Sequence, residues 1–157
     1  MRAARIVDWG AAPVVEEVPD PLLERGDTLI RVAAACLSHL DRTVASGTFF
    51  RAPAMPYTPG ESCAGVVVAS DHFEPGTRVW TRGAGLGVVR DGACAELVAT
   101  RTAAVRPCPE GVDLDIAGCF FSPATTAQVA VHEVGALQAG ERVAVIGAGG
   151  AVGSLAV

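Results

Sequence analysis

Arg142-Val143-Ala144-Val145-Ile146-Gly147-Ala148-Gly149-Gly150-Ala151-Val152-Gly153 is the stretch on which the reading of this 157-residue chain turns. Arg142 to Ile146 is apolar on both faces after its first residue, which predicts a central parallel strand. The glycines that follow predict a tight turn into a helix beginning near Gly150. Such a turn brings backbone to a point where side chains would block a phosphate, and the first helical N–H groups and the helix dipole favour an anion there. The glycines fall as GxxGxxG on Gly147, Gly150 and Gly153; the stricter GxGxxG fails because Val152 stands where its last glycine would fall. Gly147, Ala148, Gly149, Gly150, Ala151, Val152 and Gly153 are therefore candidate contacts for a dinucleotide pyrophosphate. A ligand-free strand-to-helix connection is the plain alternative. The acid or base about 20 residues further on, which separates NAD from NADP, falls past Val157.

Upstream of that strand the pattern is helical. Leu114 to Gly118 reads as a short helix, followed by a longer one with Ser122 as N-cap and Pro123 at its first position. Phe120, Ala124, Ala127, Val131 and Val134 recur at four-three-four-three spacing, one helical face, and Gly135 closes it.

Before Pro109-Glu110-Gly111 the chain reads as short strands between turns. The expected strands are Ala3–Val7, Val14–Val18, Thr28–Ala35, Cys63–Ala69, Thr77–Arg82, Cys94–Ala99 and Ala104–Arg106. Pro19-Asp20-Pro21, Arg25-Gly26-Asp27, Pro59-Gly60, Pro75-Gly76 and Asp91-Gly92 separate them. Strands this short predict a compact antiparallel barrel or sandwich. Trp9 and Trp80 are expected to pack inside it. Ser38-His39-Leu40-Asp41 reads as a variant capping box opening a short helix, with Gly47 at its other end.

Composition sets the class. Hydrophobic residues are 50% of the chain and charged ones 18%, a globular balance. The net charge is −5, with no basic run, so no nucleic-acid partner is expected. No stretch of about 18 apolar residues predicts a membrane span, and the N-terminus lacks the apolar core of a secretory signal. Five scattered cysteines without a CxxC pair predict free thiols and a cytoplasmic location.

The ordered set Ala35-Cys36-Leu37-Ser38-His39-Leu40-Asp41, Pro59-Gly60-Glu61-Ser62-Cys63-Ala64-Gly65-Val66-Val67, Gly76-Thr77-Arg78-Val79-Trp80, Gly92-Ala93-Cys94-Ala95-Glu96-Leu97, Ala124-Thr125-Thr126-Ala127 and Gly140-Glu141-Arg142-Val143 resembles the medium-chain dehydrogenase/reductase superfamily. The resemblance spans the whole chain. It implies a mainly β GroES-like barrel over residues 1–122. Residues 123–157 would be a linking helix and the first strand and helix start of an α/β Rossmann domain, truncated here.

The family divides into zinc alcohol dehydrogenases and zinc-free quinone oxidoreductases or enoyl reductases. By resemblance, the first zinc-ligand place falls on Ser38, the second on Glu61 and the third on Ser122; a slip of three residues would put Cys119 at the third. A neutral hydroxyl is a poor Zn²⁺ ligand beside a thiolate or imidazole. The four-cysteine lobe of structural zinc is also missing, since only Cys94 lies between Cys63 and Cys108. No metal is expected; a rearranged site from Cys36, His39, Glu61 and Cys63 is the competing arrangement.

The resemblance therefore implies a zinc-independent NAD(P)H-dependent oxidoreductase acting on a quinone or an activated alkene or carbonyl compound. Its cofactor would be NADPH or NADH, with NADP favoured, and Thr126 would join the glycine turn in holding it. Ser38, His39, Asp41 and Phe49 are candidates for the substrate cleft. Ser38 and Asp41 have a sufficient role as caps, and Phe49 with Phe50 has one in core packing. A doubly wound cofactor domain needs two βαβαβ halves, so this portion is expected to be inactive alone, with a homo-oligomer or a completing chain as partner. Two alternatives stay open: a non-catalytic interaction module on the same fold, and a zinc alcohol dehydrogenase with degenerate ligands.

Overall fold

The computed structural model describes residues 1–51 and 53–157. The chain divides into two compact units, Met1–Cys119 and Phe120–Val157.

Among the described residues the first unit has seven strands. β1 (Arg2–Arg5) and β2 (Val14–Glu17) form an antiparallel pair. β3 (Asp27–Cys36), β4 (Ser62–Ser70), β5 (Arg78–Arg82), β6 (Leu97–Arg101) and β7 (Val105–Pro107) form a second sheet in the order β6-β3-β4-β5-β7, every pair antiparallel. Period-two alternation explains how β3 serves two environments. Ile30 is fully buried and Val32, Ala34 and Cys36 are half-buried, while Arg31, Ala33 and Ala35 face out. Register shifts at Leu29/Ile30 and Val32/Ala34 bend this strand against β4.

Three apolar clusters hold the unit. Ile30, Cys63, Val67, Val79, Leu86, Ala93, Val98 and Val105 form the largest, inside the sheet. Ile6, Val44 and Tyr57 form a second, joined by Leu40, Phe49 and Met55. Ala64, Cys108 and Ala117 form a third, with Trp80 and Leu114 packed on it. Trp80 thus packs as expected. Trp9 does not enter the interior: it stays 40% exposed, lying beside Tyr57 with ring centroids 6.5 Å apart.

The strand expected at Cys94–Ala99 begins only at Leu97. Upstream of it the backbone turns to another partner: Ala93 N donates to Gly60 O (2.9 Å) and Cys94 N to Pro59 O (2.9 Å). α1 (His39–Ala45) forms where its capping box places it, and Gly47 follows its C-cap with φ +74°.

The helical stretch differs from expectation in one respect. Leu114–Gln128 is a single helix, α2, with Pro123 inside it, so Ser122 is not an N-cap. A proline removes one ladder bond without forcing a break. Just after the proline, Thr125 Oγ1 donates to Phe121 O (2.8 Å) and Thr126 Oγ1 to Ser122 O (3.0 Å), each four residues back along the helix. A π-helical turn, Val129–Val134, continues the rod to its C-cap Gly135.

Within the second unit, Arg142–Ile146 is not a strand. Ile146 is 100% exposed and Val143 60%. A strand exists only through inter-strand hydrogen bonds, and none of the described residues supplies a neighbour for this segment. The helix expected near Gly150 begins at Gly153; α3 (Gly153–Ala156) is one turn long. No helix among the described residues is long and apolar enough to cross a membrane.

Candidate functional site

A buried polar construction in the first unit is centred on Asp41. Ser38 takes extended backbone (φ −112°, ψ 173°) and its Oγ accepts from Leu40 N (3.1 Å) and Asp41 N (3.4 Å). Asp41 answers: its Oδ2 accepts from Ser38 N (2.8 Å) and from Ser38 Oγ (2.9 Å). Its Oδ1 accepts from Gly60 N (2.8 Å). Asp41 is 4% exposed, so the carboxylate is buried with both oxygens engaged. A capping residue has become a strut that ties the start of α1 to the Pro59-Gly60 turn.

That turn is packed too tightly for side chains. Gly60 has φ +109°, and a Cβ there would stand 2.8 Å from Cys94 N. A Cβ on Gly92 would stand 2.5 Å from both Gly60 O and Pro59 O. Arg5 secures the other side, donating to Thr58 Oγ1 (3.0 Å) and Asp91 Oδ1 (2.8 Å), while Thr58 N also donates to Asp91 Oδ1 (2.7 Å). Glu61, next along, is half-buried.

Around the strut lie thiols rather than imidazoles. Burial pushes the Cys63 thiol up to about 12, with Cys94 adding to it, and burial pushes Cys94 up to about 11, with Asp41 and Cys36 adding. Cys36 is raised too, first by burial, then by Cys119, Asp41 and Glu61. Each of these three thiols thus favours its neutral form. Among the described residues no group of three or more His, Cys, Asp or Glu is placed to hold a metal ion. Ser38 Oγ and both Asp41 oxygens are also spent on hydrogen bonds, so the ligand place at Ser38 offers no free donor.

The other cleft candidates are scattered around this node. His39 is exposed on the first turn of α1. Phe49 is half-buried on the Ile6–Val44–Tyr57 cluster, its ring 4.4 Å from that of Phe50, which is 86% exposed.

In the second unit the glycine turn has the backbone that a pyrophosphate cradle needs. Gly147 has φ +83°, a region open to glycine. Gly149 has nothing within 4 Å of where a Cβ would stand, so its face is open. A Cβ on Gly153 would overlap Gly147 O and stand 2.8 Å from Gly147 C, so the third glycine is required by the turn itself. Gly150 N donates to Gly147 O at 2.9 Å and closes the turn. The residues therefore fit an anion-holding turn, with only one turn of helix behind it. A cleft of 480 Å³ in this unit is lined by Phe120, Ala124, Ala127 and Val131 of the rod together with Val143 and Leu155. Thr126 and residues 147–153 are outside that lining. Thr126 is exposed, its hydroxyl turned back onto Ser122 O.

The Asp41–Gly60 bond was not foreseen, because Pro59-Gly60 and Asp91-Gly92 read only as turn punctuation. The one signal was the number of glycines in the two segments, which marks close backbone approach as well as turns.

Comparison with known proteins gives these features a context. The family model described as the alcohol dehydrogenase GroES-like domain matches residues 24–135. Human quinone oxidoreductase is 32% identical over 160 residues, covering 98% of this chain and 47% of its own. Among solved structures, the quinone oxidoreductase of Thermus thermophilus, determined also in complex with NADPH, aligns at a TM-score of 0.82 and 29% identity over 99% of this chain and 48% of that one. An NAD-dependent alcohol dehydrogenase aligns at 0.92 and 26% identity, over 99% and 53%. The chain thus spans about half the length of the curated relatives it matches.

Proposed function

The chain belongs to the alcohol dehydrogenase GroES-like domain family, and from that premise we propose that the protein is a zinc-independent, NAD(P)H-dependent reductase of a quinone or an activated alkene or carbonyl compound. The observation that carries this reading is the Ser38–Asp41–Gly60 strut. A serine hydroxyl committed to a helix cap and a buried carboxylate with both oxygens engaged leave no ligand at the first zinc place. The same strut fixes the loop that runs from Ser38 into α1, which serves here as one wall of the substrate site, with His39 and Phe49 as its further members.

Gly147 to Gly153 would hold the pyrophosphate of a nicotinamide dinucleotide, NADPH being favoured. When bound, that cofactor supplies the hydride. The chain's own part is to orient the substrate, exclude water and present hydrogen-bond donors to the oxygen that gains charge; solvent supplies the proton. Quinone oxidoreductases among the similar proteins, one of them solved with NADPH, support a quinone as substrate.

The turn is proposed to bind cofactor only when a complete doubly wound sheet stands behind it. The test is a hybrid in which the C-terminal half of human quinone oxidoreductase is fused after Val157. NADPH fluorescence titration should show saturable binding by the hybrid and none by the 157-residue chain. Gly153→Ala in the hybrid should weaken binding about tenfold or more, equivalent to ~1.4 kcal/mol, because the new methyl collides with the Gly147 carbonyl. Unchanged affinity in that variant would remove the turn from the cofactor site.

A further inference from the structure

Two cysteines that neither the fold nor the reductase reading uses lie on one face of the first unit. Ala34 and Cys36 are half-buried while Ala33 and Ala35 are exposed, so Ala34 and Cys36 share one side of β3. Gly118 of α2 packs on that side: a Cβ there would stand 2.7 Å from Ala34 O and 3.0 Å from Ala34 Cβ. Ser62, the cross-strand partner of Cys36, donates its Oγ to Gly118 O at 3.3 Å. Cys119 is the next residue, and it is exposed. Its thiol donates to Asp115 O (3.4 Å) and Ile116 O (3.5 Å), and that of Cys36 to Leu37 O (3.7 Å), so both are free.

We propose that Cys36 and Cys119 are a redox-sensitive thiol pair that closes to a disulfide when the protein meets an oxidised low-molecular-weight disulfide such as glutathione disulfide. In keeping with that placement, Cys119 is the largest charge influence on Cys36 after burial. Cys119 is the point of entry because it is the exposed thiol of the five. Cys63 is 1% exposed and its thiol lies at about 12, which keeps it out of exchange.

The chemistry balances in two displacements. Cys119 thiolate attacks one sulfur of glutathione disulfide; that S–S bond breaks, a mixed disulfide forms on Cys119, and one glutathione leaves as thiolate and takes a proton. Cys36 then gives its proton to solvent and attacks Cys119 Sγ, and the second glutathione leaves. The cysteine pair is oxidised by two electrons, and one glutathione disulfide becomes two glutathiones. Closure joins the end of β3 to α2 directly before Leu37-Ser38, which locks the loop leading into the strut. The pairing does not depend on the reductase reading.

The test is incubation of the 157-residue chain with glutathione disulfide, then thiol counting after denaturation and peptide mapping. The chain should lose one pair of its five free thiols and yield a Cys36–Cys119 crosslinked peptide. Cys36→Ser should stop at a glutathione adduct confined to Cys119, and unreacted Cys63 and Cys108, both buried, show that the variant is folded. Cys119→Ser should lose no thiols. A dimer joined through Cys119, a disulfide using Cys63 or Cys94, a persistent adduct beside a free Cys36 in the unsubstituted chain, or no reaction would each overturn the proposal.

Discussion

Asp41→Ala is expected to lower the free energy of unfolding by about 3 kcal/mol, read from urea denaturation. The size follows from what the carboxylate satisfies. It accepts from Ser38 N, Ser38 Oγ and Gly60 N, all at 2.8–2.9 Å, from a position 4% exposed. Bonds to a charged acceptor are worth roughly 1.5–3 kcal/mol each, and the donors left behind stay buried without water. They would not fail separately. Loss of the Ser38 contacts uncaps α1, and loss of the Gly60 contact frees the turn that holds Ala93 and Cys94. Asp41→Asn should fall between the two proteins, since it keeps one carbonyl oxygen but sets an amide N–H₂ against a donor. An alanine variant within about 1 kcal/mol of the parent would mean that the strut is not a strut.

Gly65→Ala should be as damaging for a different reason. Gly65 lies opposite Val32 in the β3–β4 ladder, beside a register shift. A Cβ there would overlap the Arg31 carbonyl oxygen and stand 2.9 Å from Ile30 Cγ2 and 3.0 Å from Arg31 C. The colliding atoms are backbone in the middle of the sheet, so no rotamer change relieves them. Ile30, at 0% exposure, anchors the largest core cluster on the same strand. Overpacking of this kind costs about 3 kcal/mol or more, which for a chain of this size lowers Tm by roughly 6–12 °C. Scanning calorimetry measures it directly. A shift within about 2 °C would show that β3 and β4 separate more readily than their packing indicates.

Much of this fold was legible residue by residue. Six of the seven strands begin within one residue of where their apolar runs and turn punctuation place them, because short antiparallel strands are bounded by local chemistry. The α1 cap was legible for the same reason, since Ser38 and Asp41 sit three residues apart. The failures share a physical cause. Arg142–Ile146 has the composition of a central strand, but a strand is a relation between segments, and no described neighbour answers it here. Pro123 looked like a first helical residue, yet α2 runs through it. Residues 94–96 looked like strand, yet Cys94 N turns to Pro59 O, and only an isolated bridge of Ala95 to Ala3 and a bond from Glu96 N to Arg2 O continue the pairing.

The candidate site divides in the same way. Ser38 and Asp41 were legible as caps from spacing and as cleft candidates only from resemblance, whereas the reach of Asp41 to Gly60 joins residues 19 positions apart, which no local pattern encodes. The packing of Gly118 on Ala34, which brings α2 onto β3, is a tertiary event. Thr126 came from resemblance, and its hydroxyl is occupied within its own helix.

The proposed nicotinamide reductase needs no zinc. The most direct measurement is quinone-dependent NADPH oxidation by the hybrid with human quinone oxidoreductase, with its zinc content determined by atomic absorption on the same sample. Turnover is expected with substoichiometric zinc and a rate unchanged by a chelator such as EDTA. Stoichiometric zinc with activity lost to the chelator would contradict it, as would NADPH binding without any reduction of quinone, activated alkene or carbonyl acceptors.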